Sequence, residues 1–295
     1  MAEEPQGGMA MRAGVIEPGV EPAPARALPP AQPIVPLGRF FTANVGQGLI
    51  ALASFAGFLL VWAVAAEWKD SPIQLPSPLK VGAALIELAG DGDLWDNASV
   101  SVGRLVLSLL VAGAIALPLG FLMGLNRRVE ALVDPVVELL RPVSGIAWIP
   151  LALFIFGVGD VLPIFILVYV ASFQLLLNTI AGVKAVDPKL VAAARTMGIG
   201  RAVIWRKVIV PAAFPHIMVG VRLAFAASWA AIVAAELIGA PSGLGFAIEW
   251  YRQLLMSPKV FGFIMVIGVI GYLSDLALRA LQRRLTPWSA EAERA

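Results

Sequence analysis

Few side chains in this sequence can do covalent chemistry. There is no cysteine and one histidine, His216. Thiolate catalysis, disulfides and a cysteine- or histidine-built metal site are therefore excluded. No GxxxxGK(S/T) phosphate loop occurs, so ATP binding is not expected of this chain. The acidic residues are too scattered for an acid–base pair. Charge placed where charge is costly is more informative. Arg104, Arg141, Arg222 and Glu236 lie in or beside long apolar runs, and a charge at the middle of a bilayer costs about 2.5–3.5 kcal/mol. Such residues either guide a polar solute between helices or pair structurally. Arg104 and Glu236 fall near the outer ends of their runs, where they can reach each other and a structural or gating role is expected. Arg222, in an inner half, and Arg141, near the cytoplasmic entrance, suit a pathway or an interface equally. Ser144, Trp148, Gln174, Asn178, Ser228 and Trp229 can line a path without trapping a solute, or bond helix to helix for about 0.6 kcal/mol each. His216, beside Pro215, reads as structural.

The composition says what must position these residues. The chain is 59% hydrophobic and 14% charged, with mean hydropathy +0.84. Soluble domains carry about 25% charged residues, so the chain reads as a membrane protein. Its net charge of +2 gives no reason to expect nucleic acid. The expected fold is all-α and integral to the membrane, with about six transmembrane helices and both termini cytoplasmic. The spans run over 48–66, 99–125, 129–157, 161–180, 212–239 and 260–281. The third joins an amphipathic stretch, 129–141, to an apolar one, 146–157, across prolines and a glycine that should distort it. Trp62 and Trp68 suit the outer interface. Gly120 and Gly124 form a GxxxG that allows close helix approach. Residues 1–38 are Pro- and Ala-rich, without periodicity, and read as a disordered cytoplasmic tail. Residues 39–98 hold the first span and an outer amphipathic segment, 99–287 the core, and 288–295 a C-terminal tail.

One polar, basic island interrupts the core at 184–211. It holds Lys184, Lys189, Arg195, Arg201, Arg206 and Lys207 against Asp187 alone, and such short basic loops face the cytoplasm. Helix-forming stretches over 191–195 and 201–210 are parted by Gly198 and Gly200. The expectation is a short helix, a glycine turn and a second helix stopped by Pro211.

Ala193-Ala194, Gly198 and the run Val208-Ile209-Val210-Pro211 have a spacing that resembles the EAA loop of permease subunits in bacterial ABC importers. The glutamate of that pattern falls at Ala192 here. Leu75-Pro76-Ser77-Pro78 and the run from Arg141-Pro142 to Ile149-Pro150 resemble the nitrate, sulfonate, taurine and bicarbonate branch of that family. The resemblance implies a permease that forms the pathway for a small anion. It implies a coupling surface made by Ala192, Ala193, Ala194, Thr196, Met197, Gly198, Ile199, Gly200, Arg201, Trp205 and Pro211. It also implies a second permease subunit forming a homodimer, two ATPase subunits carrying ATP and Mg, and a periplasmic or lipid-anchored solute-binding protein. Ser144, Trp148, Gln174, Asn178, Arg222, Trp229 and Glu236 are the pathway candidates. The competing reading is a secondary transporter working without ATP, which should show two related halves and a midplane carboxylate. Neither is evident.

Overall fold

The structure, a computed structural model, describes residues 45–69, 71 and 73–289. The tail expected over 1–38 lies outside the described residues, as do 290–295 of the C-terminal one. The described residues are helical and include no strand. In order they form α1 (Val45–Lys69), α2 (Pro78–Gly90), α3 (Asp93–Leu125), α4 (Arg127–Leu140), α5 (Ile149–Phe156), α6 (Val161–Lys184), α7 (Pro188–Thr196), α8 (Arg201–Ile204), α9 (Val210–Gly239), α10 (Leu244–Gln253) and α11 (Ser257–Leu285).

The chain divides into two compact units, 1–55 and 56–295. Only the first turns of α1 are described in the former, where Ser54 Oγ donates to the Ile50 carbonyl. In the second unit, Trp62 donates to the Pro76 carbonyl at 3.1 Å and stacks on Phe261.

Among the described residues, five helices are long and apolar enough to cross a membrane, and α4 with α5 makes a sixth crossing if that bent pair is one span. The bend is 80°. Pro142 supplies no N–H there, and a single 3-10 turn, Gly145–Trp148, bridges the two helices. Gly145 is pressed so close to α6 that a β-carbon would stand 2.4 Å from Val170.

Helices α3 and α6 run parallel: Arg104 lies beside Asp160, and Gly124 beside Val183. Helix α9 runs antiparallel to both, with Gly239 on Leu162 at one end and Gly182 against Ala213 at the other. In lipid, apolar side chains gain little from leaving hydrocarbon for a helix interface, so close packing holds such bundles together. Small residues serve that here: β-carbons on Gly120 and Gly124 would each meet α6 at 2.7 Å. Around these seams lie the sealed side chains of Leu105, Leu162, Ile166, Leu167 and Ile232. One end of the bundle gathers Arg127, Arg128, Lys184 and the 189–207 cations. The opposite end gathers the 157–160 and 240–256 turns.

Candidate functional site

At the basic end the chain makes an elbow. Helix α7 starts where the Asp187 carboxylate accepts the Lys189 N–H at 2.8 Å, with Pro188 in the first turn. It ends in a paired closure: Ile199 N–H reaches back to the Ala194 carbonyl at 3.1 Å, and Gly198 N–H to that of Arg195 at 3.0 Å. This closure needs a left-handed residue just past the helix, and Gly198 takes it at φ +72°. Gly200 then opens α8 from extended backbone.

Pro211 does not stop the second helix, contrary to expectation. Helix runs unbroken from Arg201 to Gly239, 39 residues. The reason is one wide π-turn, Trp205–Ile209, in which Val210 N–H bonds back five residues to Trp205. The wider turn absorbs the missing proline donor and its ring. The fifth span is therefore the continuation of the elbow's second arm.

Of the residues assigned to the coupling surface, Ala192, Ala193, Thr196, Met197, Gly198, Gly200, Arg201 and Trp205 are exposed; Ile199 and Pro211 are half-buried, and Ala194 faces inward. Met197, 74% exposed, stands at the tip. Buried Ile204 and the Trp205 ring, edge-on to Phe121 at 5.7 Å, fasten the arm to α3. A hollow of about 550 Å³ opens between the arms, lined by Leu125, Val191, Arg195, Arg201 and Trp205 among others. Lys184 pairs with Glu130. The other five cations of the island form no ion pair among the described residues.

At the opposite end Arg104 and Glu236 do pair, at 2.7 Å. The Glu236 carboxylate also accepts Ser101 Oγ at 2.8 Å and Gly245 N–H at 3.0 Å. Arg104 further donates to the Ser242 carbonyl and to Asp160. Asn97 accepts Gly243 N–H, and Ser101 accepts Leu244 N–H. This network ties α3, α6, α9 and the start of α10 together. It holds Glu236 in a closed knot with Arg104, Ser101 and Gly245. Asp160 carries no separate signal, because its turn reads only as a turn; Asn97, Ser101 and Ser242 likewise join only through the fold.

The remaining candidates are dispersed. Ser144 is exposed in the bend between α4 and α5, and Arg141 is exposed just before it. Trp148 is half-buried, with Nε1 sealed and without a partner among the described residues, its ring 5.7 Å from Tyr169. Asn178 donates to the Gln174 carbonyl within α6. Ser228 is sealed against Leu167, and Trp229 donates to the Ile267 carbonyl of α11 at 3.2 Å. Arg222 reaches Asp275 and Gln282 of α11. His216 lies opposite Gly182, where a β-carbon would stand 2.8 Å from its own.

Comparison with known proteins adds the context. Residues 116–287 match the family described as binding-protein-dependent transport system inner membrane component. The taurine transport system permease protein TauC of Escherichia coli is 38% identical, over 88% of this chain and 94% of its own. The putative aliphatic sulfonates transport permease protein SsuC of Bacillus subtilis is 34% identical over 79% and 87%. The bicarbonate transport system permease protein CmpB of Synechococcus elongatus is 31% identical over 80% and 88%. Inward facing conformations of the MetNI methionine ABC transporter share the fold, at TM-score 0.57 and 20% identity, over 66% of this chain and 94% of that one.

Proposed function

We propose, for a chain that belongs to the family of binding-protein-dependent transport system inner membrane components, a role as the permease of an importer for a small oxyanion of the sulfonate type. The chain is a multi-pass inner membrane transport subunit, not an enzyme. Taurine, sulfonate and bicarbonate permeases among its relatives favour that solute class, with the taurine permease at 38% identity. In this reading the basic end faces the cytoplasm, as the rule for basic loops requires, and both termini lie there. ATP and Mg belong to two partner ATPase subunits seated on the elbow. A second copy of the permease completes the path, and a periplasmic or lipid-anchored solute-binding protein feeds it.

The observation that carries the reading is the unbroken helix from the elbow to the far knot. A rise of 1.5 Å per residue over 39 residues spans about 58 Å. One arm of the docking surface and Glu236 thus sit on one continuous helix, so a push at Arg201 can be passed to where α3, α6 and α10 are tied. An ATP-independent carrier has no need of such a lever.

The test is reconstitution of the chain with its ATPase and binding protein in proteoliposomes, following labelled taurine. Uptake that requires ATP is expected. Uptake that runs on an ion gradient without ATP contradicts the proposal.

A further inference from the structure

A second group of charges lies between α9 and α11, away from elbow and knot. Arg222 of α9 reaches across to α11. Its Nη2 lies 3.5 Å from Asp275 Oδ1, and its Nη1 donates to Gln282 Oε1 at 3.3 Å. Asp275 also binds Arg279, one turn further on, at 2.7 Å. Two guanidinium groups therefore share one carboxylate, leaving a positive surplus. Arg222 Nε is sealed from solvent and has no acceptor among the described residues. A sealed N–H is costly to leave unmet, so the cluster is one acceptor short.

Depth sets what the cluster can face. Arg222 stands 14 residues before Glu236 on the same helix, about 21 Å at 1.5 Å per residue. In a hydrocarbon core about 30 Å thick that is the third nearer the basic end. The Asp275 and Arg279 side chains are 35% and 39% exposed. Charges at membrane depth almost always face the bundle interior or a water-filled cavity rather than lipid. The open side therefore suits a water-filled passage. Along the same stripe of α9, Phe225 and Trp229 stack at 6.0 Å toward the opposite end, and Trp148 packs into the same cluster.

Resting on the permease reading above, we propose that Arg222, Arg279 and Gln282 form an oxyanion site on the inner stretch of the path, in which Asp275 is a resident carboxylate that a passing sulfonate displaces. A sulfonate presents several oxygens in the geometry a guanidinium fork takes up. The positive surplus draws the solute in. Asp275 then competes for the same donors, so the solute leaves again; conduction needs sites weak enough to empty.

The absence of cysteine allows a direct test. Leu278→Cys places one thiol on α11 between Asp275 and Gln282. In the assembled transporter it is reacted with 2-sulfonatoethyl methanethiosulfonate, itself a sulfonate, and with the trimethylammonium analogue. The anionic reagent is expected to react about tenfold faster, as fields in charged clefts allow, and added methanesulfonate should slow it. Asp275→Asn should widen the preference, Arg222→Gln should abolish it, and Arg222→Lys should restore part of it. If Arg222→Gln does not accumulate, Arg279→Gln gives the same comparison. Equal rates for the two reagents, no reaction with either, or a preference untouched by these arginine substitutions would overturn the site. The labelling needs no ATP, so the failure of the elbow as a docking surface would leave this readout standing, and the reverse also holds.

Discussion

Arg104 and Glu236 meet at 2.7 Å from helices α3 and α9, with both residues almost wholly sealed, at 4% and 1% exposure. Removing one partner of such a pair strands the other in a place without water, at about 3–5 kcal/mol. Arg104→Met should therefore lower the unfolding temperature of the purified complex sharply. The double variant Arg104→Met, Glu236→Leu should recover much of the loss, because no buried charge is then left alone; Asp160, the arginine's other partner, has a side chain 67% exposed. Thermal unfolding of the four proteins in a double-mutant cycle measures this. Additive losses would mean that the pair is not coupled.

The seam between α3 and α6 gives a steric prediction. A β-carbon on Gly124 would stand 2.7 Å from Val183 Cβ, whereas one on Gly113 meets nothing nearer than 3.9 Å. Gly124→Ala should destabilise by about 1–3 kcal/mol through overpacking. Gly113→Ala should be nearly silent. Val183→Ala added to Gly124→Ala should return part of the stability, as read by thermal unfolding.

Gly198 and Gly200 should behave differently although they lie two residues apart. At φ +72° Gly198 holds a conformation that costs an L-residue about 1–2 kcal/mol. Gly198→Ala should weaken ATP-driven uptake, and Gly198→Asn should weaken it less, since asparagine tolerates the left-handed region. Gly200 has φ −65° and open space around it, so Gly200→Ser should leave uptake intact and cap the second arm.

Tyr251, on α10 outside the spans, has its hydroxyl pushed up to about 12, first by burial and then by its hydrogen bond to Asp93. The folded state favours the neutral phenol. Its contribution is complete below the ordinary value of about 10 and fades as pH rises through about 12. Near-ultraviolet titration compared with that of Tyr251→Phe should show this hydroxyl ionising late. Asp93→Asn, which removes the acceptor charge, should bring that step down.

Much of this was legible in the residues themselves. Apolar runs marked the spans, and prolines and a glycine near 142–150 marked the bend. Gly198 between two helix-forming stretches marked the elbow. Pro211 misled because a proline predicts a stop only where the helix keeps its i−4 ladder, and the π-turn at Trp205–Ile209 shifts that ladder by one residue. Arg104 and Glu236 showed as costly charges, but Asp160, Asn97 and Ser101 are unremarkable in sequence and join them only through helix pairing more than 50 residues apart. Asp275 lay within a reach of chain that read simply as the basic end of a span.

The central claim is that the elbow is where an ATPase grips this chain. Met197→Cys, alone in the cysteine-free protein, can carry a benzophenone maleimide at the exposed tip. Photolysis in inner membrane vesicles is expected to join it to the ATPase subunit, with a yield that changes when ATP is bound. A label that reacts only from the periplasmic side, or that joins no ATPase in the assembled transporter, would contradict the account.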